Sequence, residues 1–170
     1  MQPKVLDIVE IPLAGPKPQL HQSENYVVDS RYYWKKKGEL TWPSVKRLVD
    51  KPVPLWSTGD STQNGHNDRV KLETASNLTN SLMLIEPEDL IVRVGPDFGT
   101  VRRRLRARFR HAGTHYNLSV TDPVAEKHFL AKPNSDYKLS DMYLCISLGE
   151  PYTDGWCYKL VATIIGQQLP

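Results

Sequence analysis

"VRRRLRARFRHAGTHYNLSVTD", residues 101–122, decides how the chain is read. Six of the nine residues from Arg102 to Arg110 are arginines, and none is an acid. Leu105, Ala107 and Phe109 fall on one side of this run, and Arg104, Arg106, Arg108 and Arg110 on the other. A strand turns successive side chains to opposite faces, so period two predicts a strand with one dry and one wet face. "AGT" supplies a turn, and "HYNLSVTD" resumes the alternation with Tyr116, Leu118 and Val120 inward. The two halves predict an antiparallel hairpin. Asp122, just before Pro123, predicts a helix cap rather than a catalytic acid.

Outward from the hairpin the chain is punctuated into short segments. "KVLDIVEIPL" (4–13) alternates and predicts a first strand, mostly buried. Prolines and glycine in "AGPKPQLHQSENYVVD" (14–29) predict an irregular connection, and "YYWKKKGEL" (32–40) a short strand or a loop. "TWPSVKRLVDK" (41–51) predicts a helix capped by Thr41, with Val45, Leu48 and Val49 as its apolar stripe. "STGDSTQNGHND" (57–68) is twelve polar or glycine residues, the composition of a mobile loop or a long hairpin tip. Strand-like segments follow at "RVKLETA", "NSLMLIEP" and "LIVRVG", then a helix at "TDPVAEKHFLAK" and two apolar strands at "MYLCISLGEPY" and "WCYKLVATIIG". No strand–helix–strand alternation recurs, which argues against a parallel sheet. The expected class is mainly β (α+β), built of small antiparallel barrels with short helical inserts.

With 170 residues, the chain can form one domain or two small barrels sharing a core. No run approaches the roughly 18 apolar residues of a membrane span. The N-terminus lacks the features of a signal peptide. A cytoplasmic location and no membrane partner are expected. Cys145 and Cys157 are the only cysteines and read as buried thiols rather than a disulfide. The five histidines show no metal-helix spacing. No phosphate loop or nucleophile turn is present, and Glu86, Glu88 and Asp89 are close in sequence without a converging partner. The expectation is therefore no cofactor, no metal and no enzymatic activity.

Four segments, in order, carry a family resemblance. They are "SLMLIEP" at Ser81–Pro87, "YNLSVTD" at Tyr116–Asp122, "LGEP" at Leu148–Pro151 and "CYKLVATII" at Cys157–Ile165. This series resembles the prokaryotic dual OB-domain proteins. Glu150 departs from the family's turn, where an Arg-Pro or similar pair usually follows Leu-Gly, and this weakens an anion-binding reading of that turn. The resemblance implies two OB-like barrels, one over residues 1–75 and one over 76–170 in one compact unit. It also implies nucleic-acid recognition in mobile or defence-linked contexts, and no catalytic activity.

An OB barrel binds single strands on one sheet face, with cations for phosphates and aromatics for bases. Arg104, Arg106, Arg108 and Arg110 would stand roughly 6–7 Å apart, from the rise of a strand, near the spacing of successive phosphates. Arg31, Tyr33, Trp34, Lys35, Lys36 and Lys37 interleave aromatics with cations, and His115 flanks the hairpin turn. These residues are the expected binding set, for single-stranded RNA or DNA and within an accessory subunit. Cross-strand acids or an acidic partner protein could instead neutralise the arginines. A pocket between the barrels, with 57–68 as its lid, is the remaining alternative, a nucleotide sensor or an enzyme.

Overall fold

The computed structural model describes residues 3–51 and 53–167. The hairpin is present: Arg103–His111 and Thr114–Val120 pair antiparallel, with Ala107 opposite Leu118 and Phe109 opposite Tyr116. Its two-residue turn is Ala112–Gly113, both at positive φ (49° and 73°). That left-handed pair matches the twist of the flanking strands.

In chain order the strands are β1 (Asp7–Glu10), β2 (Leu13–Pro16), β3 (Tyr26–Val28), β4 (Lys35–Glu39), β5 (Arg69–Lys71), β6 (Leu82–Ile85), β7 (Glu88–Pro96), β8 (Arg103–His111), β9 (Thr114–Val120), β10 (Ser135–Lys138), β11 (Tyr143–Pro151) and β12 (Trp156–Ile165). The helices are α1 (Trp42–Val45), α2 (Leu72–Ala75) and α3 (Pro123–Leu130). The chain is mainly β. The large sheet runs β10-β7-β8-β9-β12-β11-β6, with β5 added to β12. Every pairing in it is antiparallel except β9 with β12.

Glu86 and Pro87 alone separate β6 from β7 in the chain. One bent stretch therefore pairs with β8 through its second half and with β11 through its first. The path that leaves β7 returns to the same stretch at β6. Leu90, Val92, Leu105, Ala107, Phe109, Tyr116, Leu118, Leu144, Ile146 and Val161 share one buried cluster, as the alternation in β7, β8 and β9 predicts. Ala125 and Phe129 of α3 belong to the same cluster. Asp122 caps α3 as expected, accepting from the amides of Val124 and Ala125.

Residues 3–51 depart from the reading in part: β1 and β4 lie where strands were expected, but 14–29, read as an irregular connection, carries most of β2 and all of β3. β1 pairs with β4 and β2 with β3, and the Asp29 amide donates to Pro12 O between the two ladders. The result is a long two-stranded ribbon, and no strand pairing among the described residues joins it to the large sheet. Pairing alone thus traces no first barrel over 1–75, and β5, from the end of that range, is built into the large sheet. The ribbon's strand β1 is not buried: Val5, Ile8 and Ile11 are exposed. Its alternation appears as half-buried Asp7 and Val9 against exposed Ile8 and Glu10, with no residue of the strand fully buried. The ribbon's tip is anchored where His21, fully buried, bonds Leu148 O and Gly149 O through Nε2.

The first helix is shorter than its pattern. α1 ends at Val45 and one 3-10 turn follows, leaving Leu48 exposed. Thr41 makes no side-chain cap bond. The chain leaves the helix because Asp50 is pinned to β6: its amide donates to Leu84 O, and its carboxylate accepts from the Leu84 amide. Both cysteines are free, Cys157 buried and Cys145 half-buried. Burial pushes both thiols above their ordinary pKa.

Candidate nucleic-acid interface

The outer face of β7, β8 and β9 carries the arginine ladder. Register puts Arg104 opposite Gly95, Arg106 between Arg93 and Ser119, Arg108 between Ile91 and Asn117, and Arg110 between Glu88 and His115. The four side chains share a face, as the sequence implies, but they do four different things.

Arg110 pairs with Glu88 at 2.5 Å and lies 3.8 Å from Asp89. Arg108 pairs with Asp136, which β10 brings to the sheet from 28 residues away. Arg106 is buried: it donates to Ser119 Oγ (3.0 Å), Asn117 O (3.1 Å) and Asn117 Oδ1 (3.3 Å), with Asp68 at 3.6 Å and Asp97 at 3.8 Å. Burial lowers its pKa, and the two carboxylates oppose that shift. Arg104 is the exposed member of the four, and its ion pair is a long one, to Asp97 at 3.8 Å with no hydrogen bond. The neighbouring Arg103 turns the other way and donates to Leu130 O, Lys132 O and Asn134 Oδ1, tying β8 to the end of α3. Arg102 and Arg93 are exposed and have no ion pair among the described residues.

Segment 57–68, read as a mobile loop or a long hairpin tip, lies against this face and is tied to it by hydrogen bonds. Its polar side chains bond to each other: Gly59 N to Asn67 Oδ1, Thr62 N and Oγ1 to the Asp68 carboxylate, and Asn67 N to Ser61 Oγ. Gly65 is required, because a Cβ there would stand 1.7 Å from Asp68 Oδ2. His66 bridges Asn117 of β9 by two backbone bonds, and Asn67 Nδ2 donates to His115 O. Lys159 locks the segment from below. It is 1% exposed and donates to Ser57 O (2.5 Å) and Asn67 O (2.8 Å). Burial lowers its pKa to about 8, against the opposing pull of Asp68 and Asp60.

Two cavities flank Arg104. One, of about 470 Å³, is lined by Asn64, Arg93, Asp97, Phe98, Arg104 and Asn117. The other, of about 650 Å³, is lined by Asp68, Arg104, Ser119, Tyr152, Tyr158 and Lys159. Phe98, in the turn between β7 and β8, is 74% exposed, and Tyr152, in the turn between β11 and β12, is 65% exposed. A track therefore runs across β8 and β9, with a guanidinium at its middle and an exposed aromatic at each end. The sequence reading missed Phe98, Tyr152, Arg93 and Asn64. "PDFGT" did hold a signal, since an aromatic between turn-forming Asp and Gly has no core to enter.

The N-terminal candidates lie on the ribbon. Arg31 is held bidentately by Asp29 (2.9 and 2.7 Å), Lys36 by Asp7 and Glu39, and Lys37 by Glu10. Lys35 is exposed opposite Glu10. Tyr33 is 91% exposed, and Trp34 is exposed beside it. No hydrogen bond or ion pair among the described residues links 31–37 to β8, so the two sets are not brought together. His115 is exposed and stands in a separate hollow with His66, Arg108 and Arg110. Among the described residues no helix is long and apolar enough to cross a membrane, and no group of His, Cys, Asp and Glu is placed to hold a metal ion.

A family model described as a dual OB-containing domain matches residues 1–164. Neither the curated proteins nor the solved structures gave a match.

Proposed function

The chain belongs to the family of dual OB-containing domains, and from that premise we propose that it binds single-stranded nucleic acid along the Arg104 track. In this reading the bent β6–β7 stretch is the first strand of an OB barrel, β8 the second, β9 the third, β11 the fourth and β12 the fifth. OB barrels take oligonucleotides on their second and third strands, between the turns joining strands one to two and four to five. On this assignment Phe98, between β7 and β8, and Tyr152, between β11 and β12, belong to those two turns. The ribbon of β1–β4 is read as the framework of the other OB unit, with Tyr33 and Trp34 as a second, weaker contact.

The observation that carries the reading is the position of Arg104, exposed between two cavities with an exposed aromatic beyond each. Arg93, Arg102 and Arg104 supply charge for phosphates, and Phe98 and Tyr152 supply stacking platforms. Arg108 and Arg110, already paired with acids, contribute little. The protein acts here as a binding subunit without chemistry of its own. Titrating a labelled 15-nucleotide strand tests this. Phe98→Ala and Tyr152→Ala should each weaken binding about tenfold, in line with the ~1–3 kcal/mol that stacking contributes per base. Unchanged affinity in both variants would refute the track.

A further inference from the structure

We infer that the cavity at Asp97 and Phe98 is a guanine pocket, a specificity site that rests on the single-strand reading. The carboxylate of Asp97 is only 15% exposed, lines the cavity, and accepts no hydrogen bond among the described residues. Its nearest cations, on Arg104 and Arg106, are both 3.8 Å away, beyond hydrogen-bond reach. Asp97 thus brings to the cavity wall a charge-balanced carboxylate whose oxygens are free of hydrogen bonds among the described residues. Arg93 and Arg104 line the same space with donors, and Phe98 stands at its rim.

That set selects among bases by chemistry. Guanine alone offers two adjacent donors, N1–H and the N2 amino group, to a carboxylate. Its O6 and N7 together accept from a guanidinium. Adenine would turn a ring-nitrogen lone pair toward Asp97. Thymine and uracil offer one donor between two acceptors, and cytosine one amino group beside two acceptors. The wall is set in advance: Asn64 Oδ1 accepts from the Phe98 amide at 2.9 Å, and Asn117 Nδ2 donates to Asn64 O at 3.0 Å. The aromatic turn is thereby held by segment 57–68, and that segment by β9. The guanine could belong to a strand or to a free nucleotide.

The test replaces one guanine by inosine, which lacks only the N2 amino group, in a thymine-rich 15-nucleotide strand. Titration of the native protein should show roughly tenfold weaker binding to the inosine strand, the size expected for loss of part of a bidentate contact. Asp97→Asn should abolish that difference without abolishing strand binding. A parallel calorimetric titration compares guanosine and inosine monophosphates. Preference for the guanosine nucleotide without any strand binding would keep the pocket and overturn the single-strand reading. Strand binding with equal affinity for guanine and inosine, and no preference between the mononucleotides, would overturn the pocket and leave that reading intact. Binding of neither would overturn both.

Discussion

Asp122 performs two tasks with one carboxylate. One oxygen accepts from the amides of Val124 and Ala125 and starts α3, and the other accepts from the buried Ile164 amide of β12. Loss of a cap costs about 1 kcal/mol, and an orphaned buried amide about 1–3 more. Asp122→Ala should therefore lower unfolding free energy by roughly 2–4 kcal/mol in a urea titration, and a loss under ~1 kcal/mol would show the second bond to be idle. The cap was legible from Asp-Pro; the bond to Ile164 was not, because 42 residues separate the partners. The arginines teach the same lesson. Period two assigns Arg104 to Arg110 to one face but is silent on what each meets there. Asp136, Glu88 and Asp97 reach them only through sheet pairing, so four equivalent letters become one buried strut, two neutralised pairs and one exposed cation.

Segment 57–68 shows how composition misleads at the level of elements. Twelve polar or glycine residues read as a mobile loop or a hairpin tip, yet in this segment the polar groups bond one another and Lys159 bonds two of the carbonyls. The lysine's contribution depends on pH. Its folded pKa, about 8, lies below its ordinary value of 10.5, so between those values the unfolded chain holds more protons and stability rises with pH. Cys145, Cys157 and Tyr116 have folded pKa values raised by burial, so they act in the opposite sense, losing stability as pH rises. Comparison with Lys159→Met isolates the lysine. From pH 7.5 to 9.5 the native protein should gain on the variant by on the order of 1–2 kcal/mol in denaturant titrations. A constant gap would mean that Lys159 is not buried as a charge. β1 was misjudged for a related reason: alternation assigns its faces, but only the fold reveals how little of either face is buried.

At the scale of the molecule, the hairpin 101–122 was the most informative part of the sequence, because its pattern is local and β8 and β9 are neighbours in the chain. The return of the strand path to β6 was not legible, since it depends on a bend at Glu86–Pro87 that lets one stretch serve two partners. Nor were the two turns at Phe98 and Tyr152, which line the cavities on either side of Arg104. The central claim is that this exposed arginine, not the ladder as a whole, meets the phosphate backbone. The most direct test is the salt dependence of single-strand affinity. Each phosphate contact adds about −0.7 to the slope of log affinity against log salt for single strands. Arg104→Ala should reduce the magnitude of the slope by about that amount, while Arg108→Ala and Arg110→Ala should leave it nearly unchanged. A slope insensitive to Arg104, or one that falls equally for all three, would contradict that claim.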